Sequence, residues 1–206
     1  QDDASIVQIN NIANTGNIQY QRIANIKRLD YVYWSSPVSG FSNSAISPGT
    51  PLGFQYKWTP TIGTNPGQFG NWTSANETMI TGKGYIVRGP NAFSTTVAAN
   101  HTATFIGVPN NGDITTPISR GTYNTAGTYS TGVSTTPGTK DDDNWNLVGN
   151  PYPSAIDAIK FLTLNTNITG FVNIWTHGTS PSTAIADPFY NNYTYNYTPS
   201  DYISYN

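Results

Sequence analysis

Few residues in this sequence have side chains that can carry out chemistry, and their spacing limits what that chemistry can be. One run of carboxylates stands out: Asp141-Asp142-Asp143, followed by Asn144. Calcium takes several oxygen ligands from a flexible loop, and such a run ahead of a strand can supply them. The run lacks the D-x-D-x-D-G spacing of a dedicated calcium loop, so it reads first as a solvated turn that keeps a sheet end soluble. Glu77 is the single glutamate. Glycoside hydrolysis needs two carboxyl groups flanking the scissile bond, and the sequence sets up no pair for that work. His101 and His177 lie far apart, with no carboxylate at ligand spacing, and read as surface or turn residues. The stretch His177-Gly178-Thr179-Ser180 is not a nucleophile elbow, because G-x-S-x-G is absent. The chain has no cysteine, which removes thiol nucleophiles, disulfides and cysteine-based zinc sites together. The expectation is a chain without a catalytic site and without a required cofactor.

The aromatic residues are the other chemistry-bearing set, with 5 Trp and 14 Tyr. Exposed rings stack on sugars and also make protein contacts, whereas in a β core the same rings fill volume with their polar tips bonded at the edge. Trp145 and Trp175 lie in apolar stretches and read as core. Trp58 and Trp72 sit beside turn residues and are the better candidates for exposure and ligand contact. Tyr193, Tyr195 and Tyr197 form a stripe opposite Asn192, Thr194 and Asn196. That stripe is either a contact surface or the core edge of a terminal strand.

What positions these residues is a set of strands. Only 10% of residues are charged, against a usual quarter, and Asn, Thr, Ser, Gly and Tyr take up the difference. Asn, Ser and Thr compete for backbone hydrogen bonds and disfavour helix, while Thr and the aromatics favour strands. Period-two alternation recurs, as in Phe54, Tyr56 and Trp58 against Gln55 and Lys57. Turn signals such as Ser47-Pro48-Gly49, Asn65-Pro66-Gly67 and Asn111-Gly112-Asp113 separate the runs. About ten short strands at this spacing predict an antiparallel β-sandwich or jelly roll. One segment departs from the pattern. Ser154, with Asp157 three residues on, reads as a capping box, and helical spacing predicts a short helix over 155–164. Gly121–Thr139 reads as a long hairpin or loop.

Two units are expected. Residues 1–28 form a β lead-in, with strands over Ser5–Ile9 and Asn17–Arg22, that can be the end of a β-solenoid. Residues 29–206 form the sandwich. The net charge is −2, with nine Lys and Arg in all, so nucleic acid is an unsuitable partner. No apolar run approaches the length of a membrane span.

Four stretches together resemble a known module. They are Asp30-Tyr31-Val32-Tyr33-Trp34-Ser35-Ser36-Pro37-Val38, Gly82-Lys83-Gly84-Tyr85-Ile86-Val87, Phe105-Ile106-Gly107-Val108-Pro109-Asn110-Asn111-Gly112-Asp113, and Asn144-Trp145-Asn146-Leu147-Val148-Gly149-Asn150-Pro151-Tyr152-Pro153-Ser154. In this order they resemble the β-rich module that precedes the C-terminal sorting domain in many secreted surface proteins of Bacteroidota. The resemblance implies export by the type IX route, a cell-surface or secreted location, and no catalytic residues. The sorting domain lies outside these 206 residues, so the chain reads as a processed form or a fragment. The expected role is that of a non-catalytic structural or adhesive module, a stalk, adhesin or filament component. The alternative is a carbohydrate-binding module attached to a polysaccharide-degrading enzyme. The expected partners are a glycan, or another subunit added as a strand at the terminal edges near Ile6–Ile9 or Tyr193–Tyr205.

Overall fold

The computed structural model describes residues 5–62, 68, 70–124, 128–130, 135–137, 144–168, 172–176 and 202–205. These residues form an all-β, antiparallel structure with one short helix. Its centre is a four-stranded sheet of β2 (Tyr31–Trp34), β3 (Gln55–Thr59), β4 (Asn71–Ser74) and β5 (Tyr85–Arg88), ordered β2-β5-β3-β4. A second layer is a long ribbon. In it β1 (Ile18–Ile26) pairs with β6 (Ala99–Gly107) from Ile18↔Gly107 to Ile26↔Ala99. Short pairs complete the described strands: β7 (Thr128–Ser130) with β8 (Thr135–Pro137), and β9 (Val172–Trp175) with β10 (Tyr202–Tyr205). Within Gly121–Thr139, expected as a hairpin or loop, β7 and β8 pair antiparallel.

Alternation along the strands builds one core between the two layers. Tyr20 of β1 and Ala103 and Phe105 of β6 meet Trp34 of β2 and Tyr85 and Val87 of β5. Loop residues Val38, Phe41, Ile46, Ala75 and Met79 close the cluster. The Phe105 ring sits 4.8 Å from Phe41 and 6.2 Å from Trp34, centroid to centroid. A buried polar chain runs alongside. Asn43 Nδ2 donates to Gln55 Oε1 at 3.0 Å, and Gln55 Nε2 donates to the Thr50 carbonyl at 3.2 Å. The Thr50 hydroxyl in turn donates to the Arg88 carbonyl at 2.7 Å. Each buried amide thereby finds a partner for at least one of its groups.

Several expectations change. Ser5–Ile9 is not a strand; Ile6 N donates to the Pro153 carbonyl at 3.0 Å, and Val7 and Ile9 lie exposed. The strand expected to end at Arg22 runs on to Ile26, because Ala24 and Ile26 continue the inward face. Trp145–Val148 forms no strand, only the single bridge Lys83↔Val148. The helix is α1, Ala158–Leu164, rather than 155–164, and its cap is Asp157 rather than Ser154. Asp157 Oδ1 accepts from the backbone N–H of Ile159 and of Lys160, both at 3.0 Å. Asn150 withholds Ser154, since its side-chain amide donates to the Ser154 carbonyl, the group that would otherwise open the helical ladder. No helix among the described residues is long and apolar enough to cross a membrane.

The register makes a sharp contrast between neighbours on β6. Phe105 is 1% exposed and Ile106 is 59% exposed. Phe105→Ala is expected to lower unfolding stability by about 3–5 kcal/mol, and Ile106→Ala by about 0.5 kcal/mol or less. Chemical denaturation of the two variants checks this.

Candidate functional site

The outer face of the four-stranded sheet carries the aromatic set. The register places Tyr31, Tyr33, Tyr56, Trp58, Trp72, Ile86 and Arg88 on this side, opposite the core face of Val32, Trp34, Tyr85 and Val87. Trp58 and Trp72 are direct cross-strand partners on β3 and β4. Their rings meet edge to face, 5.4 Å apart at 78°. Trp72 also stacks over Tyr33 at 6.2 Å and 21°, and Tyr33 meets Trp175 of β9 edge-on at 5.0 Å. The Trp58 indole N–H donates to the Trp145 carbonyl at 2.9 Å.

Trp58 and Trp72 were the rings expected to be exposed; both are half-buried. Pairing of β3 with β4 explains the difference, because adjacent cross-strand aromatics cover each other. Trp145 and Trp175, expected in the core, are half-buried as well. Gly70 fixes one boundary of the cluster. It has φ +82, and a Cβ there would fall inside the contact radius of the Trp58 ring, so only glycine meets both demands.

The acid and base candidates resolve differently. Glu77 forms an ion pair with Lys57 and accepts the Tyr85 hydroxyl at 3.0 Å. Tyr85 Oη itself accepts the Ile80 N–H at 2.9 Å. The single glutamate is thus tied into structure on the core face. His101 is not a turn residue. It sits on β6, with Nε2 3.0 Å from the Ile46 carbonyl and its ring edge-on to Trp34. Burial holds its pKa below the ordinary value, so the neutral ring donating from Nε2 fits this contact. Among the described residues no three His, Cys, Asp or Glu side chains gather as a metal site. The proposed calcium ligands Asp141, Asp142 and Asp143, the ring stripe Tyr193, Tyr195 and Tyr197, and His177 lie outside the described residues.

At the other end of the aromatic face, the Tyr31 hydroxyl is bonded to Tyr56, and Tyr56 donates to the Gly53 carbonyl. Arg88 lies over the Phe54 ring, with its guanidinium carbon 3.6 Å from the centroid. This corner had no signal in the sequence, since its members come from β2, β3, β5 and the turn before β3.

The sequence model of one family, described as Domain of unknown function (DUF8693), matches residues 1–206. The chain belongs to the DUF8693 family. No curated protein and no solved structure matches it. The four sequence stretches singled out above meet in space in this DUF8693 chain. Gly84 N donates to the Leu147 carbonyl at 3.1 Å, Gly149 N to Gly82 at 3.0 Å, and Asn110 N to Pro37 at 2.9 Å. The Asn110 side-chain amide adds bonds to the carbonyls of Ser36 and Pro151, at 3.2 and 2.9 Å. These motif residues do architectural work.

Two outcomes follow for the DUF8693 chain. Gly70→Ala should cost about 1–3 kcal/mol, from strain and overpacking together, and should shift tryptophan emission to the red; denaturation followed by fluorescence reads both. The second concerns alkali. Burial raises the Tyr31 pKa well above its ordinary value near 10, and pushes Tyr85 up to about 12. The unfolded chain then loses these protons first, so their contribution is complete below about pH 10 and is lost as pH rises beyond it. The denaturation midpoint should hold up to pH 9.5 and fall above 10, with a shallower fall in Tyr31→Phe and Tyr85→Phe.

Proposed function

We propose that this chain is a non-catalytic, exported surface module with a structural or adhesive role, carried by a type IX-secreted protein. The observation that carries the assembly side of the reading is the β1–β6 ribbon. It runs nine residue pairs without interruption. Its outward face is Gln19, Gln21, Ile23 and Asn25 against Asn100, Thr102, Thr104 and Ile106, with no charge among them. Asn25 Nδ2 donates to Asn100 Oδ1 across that face at 2.8 Å. Natural proteins guard exposed edges with Lys, Pro or bulges to stop strand addition. Along β1 and β6 there is no Lys, Pro or bulge, and the one charge, Arg22, lies over the Tyr20 ring rather than on the outward face, which leaves that face suited to a partner strand.

Two further features favour structure over chemistry. The lone glutamate and the described histidine are bound into the fold, and the stretches that carry the family resemblance supply β2, most of β5, the end of β6 and the junctions between them. Carbohydrate stacking on Trp58 and Trp72 draws less support, since the rings stand edge to face and one indole N–H is in use.

Sizing over a concentration series tests the proposal, with light scattering to give mass. Association that grows with concentration is expected. Ile23→Lys and Thr104→Lys, which place charge on the outward face, should abolish it without a change in melting temperature. A chain that stays monomeric throughout, together with hydrolysis or transfer activity on a polysaccharide panel, would sink the reading.

A further inference from the structure

Arg88 ends β5 on the aromatic face and is only 8% exposed. A guanidinium offers five N–H groups. One finds an acceptor here, Asn91 Oδ1. The Nε group is shut off from solvent with no acceptor at all. No carboxylate pairs with Arg88 among the described residues; the groups acting on it are the Tyr31 and Tyr56 hydroxyls and a second cation, Arg28. Buried charges in folded proteins are ordinarily paired, because desolvating an ion without a partner is strongly unfavourable. The fold nevertheless holds this one firmly. The Thr50 hydroxyl fixes its carbonyl at 2.7 Å, and Phe54 supports the guanidinium plane at 3.6 Å.

We propose that Arg88 anchors a binding site for a carboxylated sugar. A carboxylate can bond end-on to the Nη groups of the guanidinium, the Nε edge being closed to solvent, and it brings the negative charge that this corner lacks. The surroundings select the rest of the ligand. Phe54 is 36% exposed and offers ring surface to the C–H face of a sugar. The exposed Asn91 keeps its amide N–H groups for ring hydroxyls. The site extends the adhesive side of the proposed role and does not depend on strand addition, so the two fail separately.

Calorimetric titration with galacturonate and its trimer tests the site, with galactose, acetate and sulfate as controls. Saturable binding of the uronates, and not of galactose, is expected. Arg88→Lys should weaken it at least tenfold, and Arg88→Met should abolish it. Phe54→Ala should weaken it with acetate binding unchanged. Asn91→Asp supplies an internal counter-ion. It should raise the melting temperature and abolish uronate binding, which keeps the test decisive if Arg88→Met does not fold. The site is refuted by absence of uronate binding, by equal binding of acetate or sulfate, or by uronate binding that survives in Asn91→Asp.

Discussion

The side-chain amide of Asn110 ties the segment that follows β2 to the segment that leads to α1. Its two N–H groups go to the carbonyls of Ser36 and Pro151. Ser36 precedes Pro37, and Pro151 lies two residues before the fully buried Pro153. Prolines have no N–H to continue a ladder, so the carbonyls beside them lie outside the strands and need other donors. Asn110 meets that need at the end of β6, and Tyr152 Oη adds a bond to the Gly112 carbonyl at 2.6 Å. Through these contacts the residues after β2, the residues after β6 and the approach to α1 are held as one junction. The placement of the ribbon over the central sheet depends on it.

A second organising element is the buried polar chain from Asn43 through Gln55 and Thr50 to the Arg88 carbonyl. A core that includes such a chain specifies its arrangement more narrowly than an apolar one, because each member must find its partner. It also connects the interior to Arg88, the one buried cation among the described residues, on the opposite face of the sheet. The low charge of the sequence thus coincides with placement: Glu77 and Lys57 are spent on each other, and Arg88 is held by hydroxyl, ring and amide rather than by a carboxylate.

Local patterns were legible in the sequence, and pairings were not. The alternation of Tyr31–Trp34 and of Gln55–Thr59 gives their strands directly, and Tyr85–Val87 reads as buried because it is apolar and bounded by Gly82 and Gly84. Helical spacing of Ile156, Ile159 and Lys160 finds the helix, yet the start of α1 depends on the Asn150 side chain taking the Ser154 carbonyl, which no local pattern encodes. The exposure expected of Trp58 and Trp72 followed from their neighbours along the chain, whereas their burial comes from facing each other across two strands. Arg88 follows an apolar run like many strand-ending arginines. Its isolation appears only when β2, β3 and the turn before β3 are brought around it.

The pairing of β1 with β6 has a further consequence, for the order of events in folding. Ile18 finds Gly107 and Ile26 finds Ala99, so the first long strand has no partner until nearly half the chain is available. The whole central sheet lies between the two strands in sequence. Loop closure over that separation must precede any gain from the ladder, and topologies dominated by such contacts fold slowly. The central sheet, with nearer partners, can assemble first and present Trp34, Tyr85 and Val87 as the surface on which the ribbon closes. Until then Ile18–Ile26 is an uncharged-faced strand with free hydrogen-bonding groups on both sides. The stretch proposed to take a partner strand thus also waits longer for its own partner than any strand of the central sheet.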